Sequence, residues 1–174
     1  MKWYIWVIIG LAAIGLIVKI MSDDTPDMFT IPDDDDVEAL GRMIASENPN
    51  DPVIVWYGIA WAAKNNAARA RQSVFKLLEP NGLPAAQAGR YASTANPATD
   101  ATRAAAFDVL SGKVSDPTGG AVQFDAPSTQ DWLFAHGKVS KDAAAVAADR
   151  MSDGKEVVYL DGVDPNHMRW WRYS

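Results

Sequence analysis

Glu47 is the residue whose type and spacing best suit chemistry. It follows Leu40, Met43 and Ile44 by seven, four and three residues, so a helix would place its carboxyl group on the apolar face and point it inward. The helix must end near Glu47, because Pro49 disfavours helical geometry at the residue before it. Burial and the negative end of a helix both favour a neutral carboxyl group. An acid that keeps its proton near neutral pH can donate it to a leaving oxygen, which predicts a general acid.

Two other interpretations of Glu47 fit the same spacing. The side chain can lie exposed at a frayed helix end, or it can form an ion pair with an arginine such as Arg42 or Arg90. Spacing alone does not separate these interpretations from the general acid, because all three place Glu47 at the end of the helix.

The elements that would position Glu47 belong to a mostly helical domain. Asp36 is predicted to cap a helix over residues 37–47, and a second helix begins at Pro52 with Asp51 as its N-cap. The second helix is apolar nearly all round in its first half, which predicts a central, buried position. Further helices are predicted over residues 73–78, 99–111, 128–136 and 140–154, and two paired terminal strands over residues 157–160 and 168–173. The predicted fold class is therefore α+β.

Residues 1–21 are predicted to form a transmembrane anchor. Residues 3–18 are unbroken apolar sequence, and Lys19 is followed by Ile-Met. If Lys19 snorkels, the helix spans roughly 28 Å, close to the hydrocarbon thickness of a bilayer. A cleavable signal peptide is the alternative, but the sequence Ile-Met-Ser-Asp that follows Lys19 is a poor cleavage site.

Two further segments follow the anchor. Residues 22–36 predict an acidic linker with two prolines, extended by charge repulsion, and residues 37–174 predict the folded domain. Lys2 before the anchor and the acidic run after it favour an N-terminus in the cytoplasm or a virion interior. The domain is then expected to face the periplasm or cell wall.

Charge and composition exclude several classes of function. The net charge of −6 arises from eight acidic residues between residues 23 and 38, whereas from residue 39 onward 14 acidic and 14 basic residues balance. A neutral domain lacks the basic excess that nucleic-acid binding requires. With no cysteine, two histidines and no nucleotide-binding glycine pattern, neither a metal nor a cofactor is predicted.

Three segments resemble the SleB-type cell-wall hydrolases, a family with a lysozyme-like fold. The first segment consists of LGRMIASEN at residues 40–48 and the helix that follows it, IVWYGIAWAAKNNA at residues 54–67. These two parts are similar to the family's helix that ends in a catalytic Glu and to its buried helix that ends in Asn. GRYAST at residues 89–94 stands in the place of the family's Gln-Phe-Ser motif. VLSGKVSDPTGGAVQF at residues 109–124 is close to the family's vlsG..DPTGGAtHF run and is the most specific of the matches.

This resemblance implies that Glu47 is the catalytic acid/base of a peptidoglycan-cleaving enzyme. Family members cut the β-1,4 bond between N-acetylmuramic acid and N-acetylglucosamine, many of them as lytic transglycosylases that need one carboxylate and leave a 1,6-anhydro ring. The sequence departs from the family at Gln123, where the family has His, and at residues 91–93, where Tyr-Ala-Ser replaces Gln-Phe-Ser. The resemblance covers residues 37–127, and residues from 128 onward are not matched to the family core.

The sequence predicts a long loop over residues 81–97 and a structured loop or short strand over residues 115–127. A glycan substrate makes several side chains of these two segments candidates for binding. Aromatic rings stack on sugar faces, and polar groups bind hydroxyl or N-acetyl groups, although each side chain alone fits ordinary loop structure equally well. The candidates are Arg90, Tyr91, Ser93, Thr118, Gln123 and Phe124.

Hydrolysis by two carboxylates is the alternative mechanism, and it needs a partner for Glu47. Asp51 is close in sequence but is better explained as the N-cap of the second helix. Asp116, which precedes a proline, is predicted to form a turn. Asp125 is therefore the candidate for a second carboxylate.

The predicted function is that of a single-pass, membrane-anchored lytic transglycosylase or muramidase with Glu47 as its proton donor. Its predicted partners are peptidoglycan glycan strands, the bilayer through residues 3–21, and components of a membrane or virion assembly. The alternative is a non-catalytic lysozyme-like module that binds glycan or braces such an assembly.

Overall fold

The structure tests only those predictions that fall on the residues it describes. The computed structural model describes residues 31–47, 49–78 and 97–174. The predicted anchor, most of the predicted linker and nearly all of the loop predicted over residues 81–97 lie outside these ranges. Within them, no helix is both long enough and apolar enough to cross a bilayer.

Helices dominate the described residues, and one small antiparallel sheet accompanies them. The elements are α1 (Asp34–Glu47), α2 (Val53–Arg69), α3 (Val74–Leu78), α4 (Asp100–Leu110), β1 (Gln123–Asp125), α5 (Pro127–Ala135), α6 (Ala143–Ser152), β2 (Lys155–Val158) and β3 (Arg169–Tyr173). This architecture confirms the predicted α+β class.

Helix α1 begins earlier than predicted and ends where predicted. Asp34, Asp35 and Asp36 form its first turn, because carboxylates there interact favourably with the positive end of the helix dipole. The last three residues assigned to the linker are therefore helical. Asp36 does not cap α1, and its Oδ1 instead accepts a hydrogen bond from the backbone N–H of Phe75 at 2.6 Å. The last residue of α1 is Glu47.

Helix α2 occupies the core as predicted, but its start differs from the prediction. Pro52 is the N-cap residue, and no side chain caps the helix. Asp51 was predicted to be the N-cap, and it instead lies beside His167, with Asp51 Oδ2 2.8 Å from His167 Nε2. Val55 and Ile59 are among the fully buried side chains of α2, which places this helix in the middle of the domain.

An ion-pair cluster fixes α1 against α4. Glu38 of α1 accepts hydrogen bonds from Arg103 Nε of α4 at 2.7 Å and from Arg42 Nε, one turn along α1, at 3.0 Å. The Arg103 guanidinium, assisted by Arg42, holds the pKa of the Glu38 carboxyl below its usual value. Arg42, which was one of the arginines considered as a partner for Glu47, is thus engaged by Glu38.

The sheet packs on α2 through its central strand. The strand order is β1-β3-β2 and both pairings are antiparallel, so the two predicted terminal strands pair with each other and β1 joins them. Trp170 of β3 is fully buried, and its indole lies against Gly58 of α2. A Cβ atom at position 58 would lie 2.7 Å from the indole ring, so only glycine permits this approach.

Gly58→Ala is expected to lower the free energy of unfolding by about 1–2 kcal/mol, because overpacking at a buried ring costs more than the gain in helix propensity. Denaturant unfolding followed by circular dichroism measures the change. Trp170→Phe removes the atoms that clash. The Gly58→Ala/Trp170→Phe double variant should therefore have a higher free energy of unfolding than the sum of the two single changes predicts. Strict additivity would show that the indole does not constrain position 58.

Candidate active site

Glu47 opens onto a cleft of about 640 Å³, a volume within the range of small-molecule sites. The helices α1, α2, α3, α5 and α6, the strand β1 and the segment before β3 all contribute to it. The lining residues are Met43, Glu47, Ala62, Ala63, Asn66, Leu77, Leu78, Val122, Gln123, Phe124, Asp125, Ala126, Thr129, Gln130, Leu133, Val146, Arg150, His167 and Met168. The cleft therefore joins the N-terminal helices to the C-terminal part of the domain.

The apolar stripe of α1 places Glu47 in this cleft. Leu40 and Ile44 are fully buried and Met43 nearly so, which fixes the rotation of the helix about its axis. Glu47 continues the same face one turn later, is half-buried, and lines the cleft beside Met43. The structure thus places Glu47 at a cleft that the core side of α1 helps to form, and its catalytic role stays a prediction.

Strand β1 forms part of the opposite wall and holds three of the predicted site residues. Gln123, Phe124 and Asp125 all line the cleft with Glu47. The side-chain oxygen of Gln123 accepts a hydrogen bond from Arg150 Nη1 at 2.6 Å, and Phe124 also packs on the hydrophobic core. The structure thus brings together Glu47 and the segment that follows the Asp-Pro-Thr-Gly-Gly-Ala run.

The Asp116 carboxylate organises the turn that leads into β1. It accepts hydrogen bonds from the backbone N–H groups of Thr118 and Gly120 at 2.8 and 2.9 Å, and from Asn65 Nδ2 of α2 at 2.9 Å. Asn65 also donates to the carbonyl of Ala121 at 3.0 Å. Burial would raise the pKa of Asp116, but the hydrogen bonds from Thr118 and Asn65 outweigh it and hold the pKa below its usual value. The predicted role of Asp116 as a turn former is confirmed.

Thr118 belongs to the interior of this turn rather than to the cleft. Its side chain is fully buried. Its hydroxyl donates to Asp116 Oδ1 at 2.6 Å and accepts from the backbone N–H of Ala121 at 3.1 Å. This hydroxyl is occupied inside the turn, and Thr118 is not among the residues that line the cleft. Its role in substrate binding stays a prediction.

Asp125 lines the cleft but is held by three donors from β3. Arg169 binds it through two hydrogen bonds, from Nε at 2.9 Å and from Nη2 at 2.8 Å, and Trp171 Nε1 donates at 2.8 Å. Only 13% of the Asp125 side chain is exposed. The hydrogen bond to Asp125 raises the pKa of the Arg169 guanidinium, which therefore remains a permanent cation beside this carboxylate.

Three predicted binding residues, Arg90, Tyr91 and Ser93, lie outside the described residues, and their roles stay predictions. Across residues 31–47, 49–78 and 97–174, no three His, Asp or Glu side chains converge as a metal site would require.

Two titratable residues of the cleft were not predicted from the sequence, and both come from the C-terminal part of the domain, which is not matched to the family. Arg150 of α6 contacts Gln123, and His167, which precedes β3, contacts Asp51 at the start of α2. An arginine near the end of an alanine-rich helix gives no signal of such a position. For His167 the sequence offers no spacing signal, only the fact that the chain has two histidines.

Comparisons with known proteins give one likeness in structure. No protein-family model matches the sequence, and no curated protein matches it. Among solved structures, the catalytic domain of the Bacillus cereus SleB protein is similar with a TM-score of 0.43 and 18% sequence identity, over 63% of this chain and 83% of that chain.

Asp116→Asn is expected to destabilise the domain at pH 7 by about 1–2 kcal/mol, because the charge-assisted hydrogen bonds are lost at a site that water partly screens. A lowered pKa means that the folded state resists protonation. The stabilisation is therefore complete above the ordinary value of 3.8 and is lost as the pH falls through the lower folded-state pKa.

Urea unfolding at pH 7 and at pH 3 tests this expectation: the difference between wild type and Asp116→Asn should shrink at the lower pH. Asp161→Asn, at an exposed position, is the control and should change little at either pH. A difference that stays constant with pH would contradict the assignment of the charge on Asp116 as the stabilising feature.

Proposed function

We propose that the chain is a peptidoglycan-cleaving lytic transglycosylase in which Glu47 is the single catalytic acid/base. The observation that carries the proposal is the position of Glu47, half-buried at the end of α1 and lining one cleft with the β1 segment Gln123–Asp125. The sequence resemblance to SleB-type hydrolases rests on these same two segments. That two distant parts of the chain which resemble the family meet at one cleft supports a site built for the family's chemistry.

The mechanism follows from one carboxyl group that acts twice. In the first step Glu47 carries a proton and donates it to the glycosidic oxygen, so the bond from C1 of the muramyl residue to that oxygen breaks and the N-acetylglucosamine 4-hydroxyl leaves. In the second step the Glu47 carboxylate takes the proton of the muramyl 6-hydroxyl, whose oxygen bonds to C1 and closes the 1,6-anhydro ring. Glu47 regains its proton, and water does not enter the products.

The binding of Asp125 favours this one-carboxylate route over two-carboxylate hydrolysis. A hydrolase of the inverting or retaining type needs a second carboxylate that is free to activate water or to attack C1. Asp125 shares the cleft, but Arg169 and Trp171 occupy its oxygens. We therefore assign Asp125 to the wall of the cleft and Glu47 to the chemistry.

Membrane attachment is a second part of the proposal. The apolar residues 1–21 and the acidic residues that follow support an anchored chain, with the N-terminus in the cytoplasm or a virion interior. The domain would then face the periplasm or cell wall, where peptidoglycan is found, and other components of a membrane or virion assembly would lie beside it.

Glu47→Gln is expected to abolish the release of soluble muropeptides from purified sacculi, with a loss of at least about 100-fold, because an amide cannot donate the proton. The full chain in a mild detergent and mass spectrometry of the products provide the measurement. Products of the wild type should end in 1,6-anhydro-muramyl groups.

Glu156→Gln is the matched control, because it makes the same chemical change on β2, where Glu156 pairs with Arg172 at an exposed position. It should retain full activity. Reducing ends in the products would show that the chain is a hydrolase and not a transglycosylase. A wild-type chain that binds sacculi without releasing muropeptides would instead support the non-catalytic glycan-binding module.

Asp125→Asn is expected to lower the free energy of unfolding by about 2–4 kcal/mol, because it leaves the Arg169 guanidinium without its counter-charge in a largely buried position. Cleavage per folded molecule should persist, with the same anhydro products. Arg169→Lys breaks the same two-pronged contact without altering a carboxylate, and it should give a similar pattern. A well-folded Asp125→Asn variant without activity would assign Asp125 to catalysis.

A further inference from the structure

The guanidinium of Arg150 is the cationic group of the cleft with an incomplete set of partners. Its Nη1 donates to the neutral side-chain oxygen of Gln123 at 2.6 Å, and its buried Nε–H finds no acceptor among the residues that the structure describes. A guanidinium carries five N–H donors in a planar fork. A buried donor without an acceptor is costly.

Arg169 is an arginine of this domain that is paired with a carboxylate. Its Nε and Nη2 groups donate hydrogen bonds to the two oxygens of Asp125. Arg150 makes no ion pair within the described ranges, and Gln123 holds it in place through one of its terminal nitrogens. Gln123 therefore orients the fork of Arg150, while the positive charge stays available to a ligand in the cleft.

A carboxylate is the ligand that fits this arrangement. A planar guanidinium binds a carboxylate through two parallel hydrogen bonds, which is stronger and more directional than a bond to a neutral hydroxyl. Asp125 is paired with Arg169, and no carboxylate of the described residues forms an ion pair with Arg150. Arg150 lines the cleft of about 640 Å³ together with Gln123.

We propose that Arg150 binds a carboxylate of the glycan substrate and makes the site selective for acidic peptidoglycan over uncharged glycan. This inference rests on the proposed function, because it takes peptidoglycan as the ligand. The carboxylate comes either from the stem peptide or, on peptide-free strands, from the lactyl group of the muramyl residue.

Sedimentation with sacculi in the Glu47→Gln background separates this inference from catalysis. Arg150→Gln should weaken binding to unmodified sacculi by about 10- to 100-fold, and Arg150→Lys, which keeps the charge but not the fork, by less. When carbodiimide coupling to ethanolamine has neutralised the carboxylates, the parent should bind as weakly as Arg150→Gln, and Arg150→Gln should not weaken further. Arg172→Gln, on an exposed arginine paired with Glu156, should behave as the parent throughout.

Amidase-treated strands, which keep only the lactyl carboxylate, identify the source of the charge. Persistence of the Arg150 effect on these strands assigns it to the lactyl group, and its disappearance assigns it to the stem peptide. An equal loss of binding by Arg150→Gln on neutralised and unmodified sacculi, or no loss on either, would overturn the inference. So would an Arg150→Lys variant that folds, judged by thermal melting, and binds no better than Arg150→Gln.

The outcome for catalysis is independent of this result. Wild-type cleavage with no effect of Arg150→Gln on binding would leave the proposed function intact and remove the inference. Charge-dependent binding through Arg150 in a chain that cleaves nothing would reject the proposed enzymatic function and support the proposed carboxylate-binding site.

Discussion

The hydrogen bonds of the Asp116 carboxylate determine where the cleft wall lies. This one carboxylate binds the backbone of its own turn at Thr118 and Gly120 and the side-chain amide of Asn65 on α2. Asn65 reaches on to the carbonyl of Ala121, two residues before β1 begins. Because α2 is the buried centre of the domain, these hydrogen bonds tie the start of β1 to the central helix, and Gln123 lines the same cleft as Glu47.

The cleft is made of two halves, of which only one consists of sequence that resembles a known family. The half that resembles a known family supplies Glu47, the turn at Asp116 and strand β1. The half without such a resemblance supplies Arg150 and His167, and its strand β3 also supplies the donors that occupy Asp125. In the proposed function the proton donor belongs to one half, whereas the charged groups around it belong largely to the other.

Local rules account for what the sequence predicted well. The end of α1 at Glu47, the central position of α2 and the turn at Asp116 each follow from a proline, an apolar pattern or a short side chain that acts within a few residues. The class of fold and the inward direction of Glu47 could be predicted for the same reason. The capping role given to Asp51 failed because His167, far away in the chain, is its contact.

Non-local contacts account for what the sequence did not predict. Asp125 looked like a free acid until β3 placed Arg169 and Trp171 beside it. Thr118 was predicted to bind substrate, but its hydroxyl forms hydrogen bonds within its own turn. The contacts of Asp125 are not encoded in spacing, because they depend on which distant segments pair. Arg150 is the clearest case, since its hydrogen bond to Gln123 joins α6 to a strand that is distant in the chain.

The central place of β3 in the sheet bears on how the domain matures. β3 is the last of the described elements in chain order, yet β1 and β2 each pair with it and not with one another. During synthesis from the N-terminus, β1 has no strand to pair with until β3 emerges. Glu47 lies on α1, the first of the described helices, and is therefore synthesised well before the wall that β1 helps to form can be completed. In the proposed function, a nascent chain would acquire its proton donor early and its substrate-binding cleft late.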